Sequence, residues 1–317
     1  MKITNFGIIF ILIIIPFMLF SHFEIRKETV SNFQNRSYDN IVEKALSDAS
    51  EALIMDVDVN RDNRIEINKD YAIETFFKTL SLSFGYKDII DIEYLKSYVP
   101  IIIIIDYDGI YTYSVEKYNA LSGEILIKHV LHEKKYFTYT EGNNIITLYL
   151  DGSYKVLSLT KNRTFYGTYD ELKAIAISIF FDNTEAEIEE LRNKIVVDLI
   201  SNELLKINDH NTFAEINGVK YDFFIPDTKY DLDTNTIDNI GIIASIQGFP
   251  KANGKYNNFS VAINAIKERQ RILGYNDAGK LVYHEEGCPG ITGILIEVFD
   301  SKKEAAQNGY YPDYECN

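Results

Sequence analysis

The chain contains no tryptophan, and its 317 residues include only two cysteines, three methionines and six prolines. Positive charge is also scarce: 32 Lys and Arg stand against 47 Asp and Glu, a formal net charge of −15. That balance excludes non-specific binding of the acidic chain to nucleic acid or to an anionic membrane face, because the phosphates would repel it. No G-x-S-x-G elbow, H-E-x-x-H pair, Walker loop or dinucleotide fingerprint occurs, so no catalytic role is expected. Serine triads stay open on sequence alone, since their members come from distant positions. Gly248-Phe249-Pro250, with Gly254 following, reads as an irregular loop and not as a phosphate cradle. There is no Ser/Pro-rich linker and no internal repeat, and domain boundaries are only weakly marked, near 165–168 and near 208.

What the sequence does contain is an uncharged apolar run, Phe6 to Phe20, preceded only by Lys2. A spanning helix takes about 20 apolar residues, and Ile3, Phe23 and Ile25 extend the run. The following Ser21-His22-Phe23-Glu24 lacks the small-x-small pattern of a cleavage site. Residues 1–25 are therefore expected to form a retained transmembrane anchor, with a cleaved signal or a buried helix as the alternatives. The lipid bilayer is then the first partner. The protein would be a single-pass cell-membrane protein with its C-terminal part extracytoplasmic, because long domains translocate largely regardless of flanking charge.

Between 4 and 55 the only Gly is Gly7 and the only Pro is Pro16. Tyr38, Val42, Ala45, Ala49 and Ala52 recur at spacings of four and three, with Leu46 and Leu53 beside them and Asp39, Glu43, Lys44, Asp48 and Glu51 opposite. This near-heptad stripe predicts an amphipathic helical stalk over 26–55, continuous with the anchor, with the stripe as an interaction face for other subunits. Pro16 would kink the rod without ending it.

Residues 56–317 read as an extracytoplasmic α+β region, divisible into 56–165 and 166–317. A strand is expected at Arg64–Ile67, and Asn68 and Gly85 bracket a helix over 69–84. Val99 to Ile105 reads as a strand, and Asp108-Gly109 is a hairpin turn. Turn signals at Ser122-Gly123, Glu141-Gly142-Asn143 and Asp151-Gly152 extend an antiparallel meander to about 160. Thr168 with Glu171, and Thr184 with Glu187, have capping-box spacing, the second opening a helix to about 206. Ile240–Ile246 and Phe259–Ile266 read as paired strands, Thr292–Phe299 as a last strand, and Ser301 with Glu304 as a cap for a helix that stops at Gly309. Strands and helices in separate runs indicate α+β rather than βαβ architecture.

Asp58, Asn60, Asp62 and Glu66 occupy positions 1, 3, 5 and 9 of a calcium-type loop, where alternating oxygens can converge on a hard cation. Asn63 stands where Gly is expected and Lys69 where a bidentate acid is expected, so a solvated acidic loop is the competing reading. Asp231-x-Asp233-x-Asn235 is weaker, with Ile242 at position 12. His129 and His132, three apart on one strand, should face opposite sides and not share a metal. His284-Glu285-Glu286-Gly287-Cys288 finds no partner cluster for zinc. No cofactor beyond calcium is indicated. Given export, Cys288 and Cys316 are expected to form a disulfide that holds down the tail. Tyr107, Tyr111, Tyr113, Tyr136 and Tyr139 suit a contact surface or a strand core equally.

A short polar start, an apolar helix, an amphipathic continuation and a β-rich domain together resemble pilin-like and TadE-like pilus-assembly proteins over residues 1–55. The resemblance implies a subunit whose apolar helix is anchored in the membrane and later packs with neighbours. Asn5-Phe6-Gly7-Ile8-Ile9-Phe10 departs from the processed type IV pilin start, so an accessory role is implied instead of filament incorporation. The expected function is a membrane-anchored, non-catalytic subunit of a bacterial pilus, conjugation or secretion assembly. A ligand-binding or sensor-type domain is the alternative, and a metal-dependent hydrolase the second alternative.

Overall fold

One helix, α1 (Ile3–Ile54), runs through both the apolar and the amphipathic segments, with Pro16 inside it. The computed structural model describes residues 3–54, 67–119, 123, 125–174, 179–208, 210–211, 239–264, 271–286, 288, 293–299 and 301–313. The strand expected at Arg64–Ile67 and the turn at Asn217-Gly218 fall largely outside them. After α1, α2 (Lys69–Phe84) folds back along it. The Asn68 backbone N–H donates to the Leu53 carbonyl at 2.9 Å, and the Asn68 side chain accepts from the Tyr71 N–H at 3.2 Å. Gly85, at φ 78°, ends α2 in the left-handed conformation that glycine adopts without strain.

The helix pair explains the heptad-like stripe. Val42, Ala45, Leu46, Ala49, Ala52 and Leu53 are buried in one cluster with Ala72, Phe76, Phe77 and Leu80 of α2. Alanines on α1 let the phenylalanines of α2 approach its backbone. Residues 26–55 are therefore not a free stalk: the face expected to bind other subunits is the protein's own core.

Beneath the helices lies the first sheet. It contains β1 (Ile101–Asp106), β2 (Gly109–Asn119), β3 (Ile125–Leu131), the short β4 (Lys135–Tyr136), β9 (Ile240–Lys251) and β10 (Gly254–Asn264), in the order β10-β9-β1-β2-β3 with β4 beside β2. β1 is apolar throughout because both its faces are covered. Ile102 and Ile104 meet the α1–α2 cluster, whereas Ile101, Ile103 and Ile105 meet a second core. That second core contains Ile146, Leu148 and Val156 from the second sheet and Ile188, Val196, Ile200 and Leu204 of α6 (Glu185–Leu204).

The second sheet contains β5 (Thr138–Glu141), β6 (Asn144–Leu148), β7 (Tyr154–Ser158), β8 (Arg163–Gly167), β11 (Ile272–Asp277), β12 (Lys280–Glu285), β13 (Ile294–Phe299) and β14 (Tyr311–Pro312), in the order β14-β12-β11-β13-β8-β7-β6-β5. Two short helices, α4 (Tyr169–Ala174) and α5 (Ile179–Asp182), precede α6, and α7 (Lys302–Gln307) precedes β14. The meander expected over 98–160 is thus shared between two sheets. The division at 165 separates no cores either: β9 pairs with β1 across it, and β8, which straddles it, joins β7 to β13. The segment from Gly248 to Gly254, expected as an irregular loop, lies within the β9–β10 ribbon up to its turn. There Tyr256 pairs with Phe249 and Gly254 with Lys251, and a register shift follows between Tyr256 and Asn258.

Candidate functional site

Two features of the surface have functional character: a polar cavity at the β2–β3 edge, and the bare first half of α1. The cavity, about 640 Å³, is lined by Ser114, Val115, Glu116, Lys117, His132, Lys135 and Lys206. Thr112, Ser114 and Glu116 alternate along β2 and so share one face. His132 arrives across the strand pair, its backbone N–H on the Thr112 carbonyl at 2.8 Å. Its Nε2 lies 2.8 Å from the Ser114 hydroxyl and its Nδ1 3.2 Å from the Glu116 carboxylate. Burial, with Lys206 nearby, pushes the imidazole below its ordinary value despite Glu116 and Glu203, so it is a neutral ring at neutral pH.

The opposite wall carries two ammonium groups that converge on Glu203, near the end of α6. Lys206 reaches Glu203 at 2.9 Å, and Lys135 also pairs with it. Burial alone would raise the Glu203 carboxyl; the hydrogen bonds from Lys135 and Lys206 outweigh it and hold it below the usual carboxylate range. Beside this wall, Lys134 bridges Asp106 at 2.6 Å and pairs with Asp108, which fixes the β1–β2 turn.

Serine, imidazole and carboxylate here follow the connectivity of a nucleophilic relay. β2, however, is paired on both sides, Ser114 lying opposite Ile101 and Val130. The backbone N–H groups around the serine belong to ladders and supply no oxyanion pocket. The ensemble suits recognition of a small ligand carrying acidic and hydroxyl groups better than acyl transfer. A second cavity, about 520 Å³, lies between α2 and α3 (Ile89–Lys96) and is more apolar, with Ile73, Phe77, Tyr86, Ile92 and Tyr113 in its wall.

On α1, Phe10, Ile13, Phe17, Met18, Phe20, Phe23 and Ile25 are each 61–68% exposed. Ile15 and Leu19 are 51% and 53% exposed, and at 100° per residue these nine positions together encircle the helix and do not form a stripe. Even so, among the described residues no helix is long and apolar enough to cross a membrane.

The residues singled out from sequence divide sharply. Val42, Ala45, Ala49 and Ala52 are buried in the α1–α2 core. Tyr38 packs edge-on against Phe84, Phe249 and Tyr256. These five residues are intramolecular contacts, which corrects their assignment as an assembly surface. Asp58, Asn60, Asp62 and Glu66 lie outside the described residues, as do Asp231, Asp233 and Asn235. Among the described residues no three His, Cys, Asp or Glu side chains group as metal ligands. His129 stacks on Tyr113 at 5.4 Å, away from His132. His284 packs edge-on against Tyr275. No cysteine is free among the described residues, and Cys316 lies outside them. Of the tyrosines, Tyr107 is buried and Tyr111 and Tyr113 pack against the core, whereas Tyr136 is exposed.

Of the cavity residues only His132 was named from sequence, and there as half of a pair that would not share a metal; Ser114, Glu116, Lys135 and Lys206, with the adjoining Glu203, were not singled out. The polar alternation along β2 was the only local signal, and it could not say which lysines α6 would bring. Comparison with protein-family models, with curated proteins and with solved structures finds no match to the chain.

Proposed function

We propose that the protein is a membrane-anchored body held on the extracytoplasmic face, a pilin-like or accessory subunit of a surface assembly, without catalytic activity. One observation carries this reading: among the described side chains of the first half of α1, Phe10, Ile13, Ile15 and the apolar residues from Phe17 to Ile25 are exposed around the whole circumference. Covering one such Phe, Ile or Met side chain with an apolar medium is worth about 1.5–3 kcal/mol, so the segment belongs in lipid or among neighbouring apolar helices. Since the stripe from Tyr38 to Ala52 is spent inside the body, contact with other subunits falls to residues before it. The test is fractionation of cells expressing the whole chain, then protease added from outside. Recovery in the membrane with the body digested supports the proposal; an intact species in the cytosol overturns it.

The second reading, an extracytoplasmic ligand-binding domain, is favoured by the cavity around His132, Lys135 and Lys206. Calorimetric titration with small hydroxy-dicarboxylates and phosphorylated sugars would test it, with Lys206→Ala as the control.

The disulfide between Cys288 and Cys316 belongs to the first reading. β14 runs parallel to β12 with Val282 opposite Tyr311 and Tyr283 opposite Pro312, partners 29 positions apart; the two cysteines are 28 apart. A bridge closing that loop would stabilise by about 3–4 kcal/mol on the chain-entropy scale. Digestion without reduction, read by mass spectrometry, should yield one linked peptide pair; two separate thiol peptides would remove the bridge.

A further inference from the structure

The β9–β10 ribbon outgrows its sheet. β1 pairs with β9 only from Gly241 to Ser245, yet β9 and β10 stay paired out to Lys251 and Gly254. Beyond β1 the ribbon lies along α1 instead. Asp39 accepts hydrogen bonds from the Tyr256 hydroxyl at 2.7 Å and from Asn258 at 3.0 Å. The Tyr38 hydroxyl donates to the Pro250 carbonyl at 3.3 Å. Nearer the tip, the Lys251 ammonium donates to Asn35 at 2.8 Å and the Ala252 N–H to Gln34 at 3.0 Å. At the turn itself, Asn253 donates to the carbonyl of Lys27 at 3.1 Å. The end of α2, where Phe84 meets Tyr38, stops about 16 Å short of that level at ~1.5 Å of rise per residue.

Lys27 is two residues past Ile25, the last apolar residue of the extended run. The tip of the ribbon therefore stands about 3 Å along the helix axis from the end of the apolar segment, well within the headgroup layer that flanks a hydrocarbon core of about 30 Å. In a chain of net charge −15, the stretch of α1 and ribbon from this level up to Tyr38 and Asp39 carries Arg26, Lys27, Arg36, Lys251 and Lys255, with Glu24, Glu28 and Asp39 as the acids. Its charge is the reverse of the body's.

We propose that the β9–β10 tip is seated in the phospholipid headgroup layer, its lysines and those of α1 against lipid phosphates, so that the body is held on the bilayer surface at a fixed orientation. The inference rests on the anchored reading above. The occupant is lipid, because the apolar helix leading into the site is exposed on all sides, where a partner helix would need only a stripe.

The absence of tryptophan makes the test direct. Single variants Phe17→Trp, Ala252→Trp and Tyr71→Trp of the full chain would be reconstituted into phosphatidylcholine vesicles. Tyr71 stands near the far end of α1, since α2 starts against Leu53. Lipids brominated on the acyl chain, and lipids with a nitroxide on the headgroup, would serve as quenchers. Expected are quenching of Phe17→Trp by the chain-brominated lipid, roughly twofold or greater quenching of Ala252→Trp by the headgroup nitroxide, and none for Tyr71→Trp. Adding Lys255→Glu to Ala252→Trp should reduce the headgroup quenching. Quenching at Phe17→Trp with none at Ala252→Trp overturns the seated tip and leaves the anchor standing. No quenching at Phe17→Trp overturns the anchor and this inference together. Equal headgroup quenching at Ala252→Trp and Tyr71→Trp overturns the fixed orientation.

Discussion

The two halves of α1 are one continuous helix in two different environments, and their apolar residues differ in kind and in placement. From Phe10 to Ile25 the apolar residues are mostly Ile, Phe, Leu and Met, they surround the axis, and the large ones with described side chains are exposed apart from the half-buried Ile14. From Val42 to Leu53 they are Ala, Leu and Val, confined to one side and buried against α2 and the first sheet. Small residues at a stripe let another element come close, and polar residues opposite keep the rest in water. An all-round apolar surface has no such preferred neighbour. Hydrophobicity alone therefore does not say where a segment goes; its distribution around the helix does.

The largest expected effect comes from breaking the body-side half. Ala49→Asp would bury a carboxylate in an apolar cluster where Ala49 is fully buried, at a cost of several kcal/mol, ~4 or more. The body should fail to give a cooperative unfolding transition by circular dichroism in detergent, while membrane recovery of the chain persists. Loss of membrane recovery as well would mean that the two halves are not separable.

Acid should also separate them. His210 is buried, and burial, with His129 nearby, pushes its imidazole down to about 4 despite a hydrogen bond to the Ser97 backbone; burial lowers His129 too. The native state thus keeps the ring neutral where the unfolded chain would protonate it. Its contribution is complete above about pH 6.5 and is lost as pH falls from there toward about 4, roughly 2 kcal/mol by pH 5 and about 3 in all. Urea midpoints measured at pH 7 and pH 5 should fall for the native body and fall less for His210→Leu. An equal fall in both would assign the acid sensitivity elsewhere.

A smaller effect tests where the two environments meet. Asp39→Ala removes the acceptor shared by Tyr256 and Asn258 and should cost about 2 kcal/mol. Urea unfolding would show it, and exchange of the amides in the β9–β10 ribbon should accelerate before that of β1.

Much of the body was legible in the sequence wherever a local rule decides the structure. Asn68 and Gly85 bound α2, Thr184 and Glu187 form their reciprocal cap, and Asp106 pairs with Gly109 across the hairpin turn. Legibility ended where pairing is non-local. Nothing near β1 says that β9, well over a hundred residues later, completes its ladder. The β11–β12 hairpin went unread because its turn puts Ala278 at φ 48° before Gly279, where Asn or Asp is the usual signal. The Tyr38–Ala52 stripe was legible as one apolar helix face and was assigned to other subunits, because a helical period cannot distinguish a second subunit from α2 of the same chain. The cavity was least legible: Ser114 and His132 share a strand pair, while Lys206 depends on how α6 docks.

The smallest expected effect on stability is the one that most sharpens the contrast. Phe17 is 68% exposed, so Phe17→Ala should shift the body's urea midpoint by no more than the equivalent of about 0.5 kcal/mol. In the core a comparable truncation, Phe76→Ala, should cost about 3–5 kcal/mol. Partition should respond in the opposite order: replacing Ile13, Phe17 and Phe20 together by Asp should move the folded chain out of vesicles, whereas Phe76→Ala should leave it bound while destabilising the body. Both variants can be read in one flotation assay followed by urea unfolding of each fraction. If Phe17→Ala destabilises the body as much as Phe76→Ala does, the membrane-side half has a protein partner within the chain and the two halves share one environment.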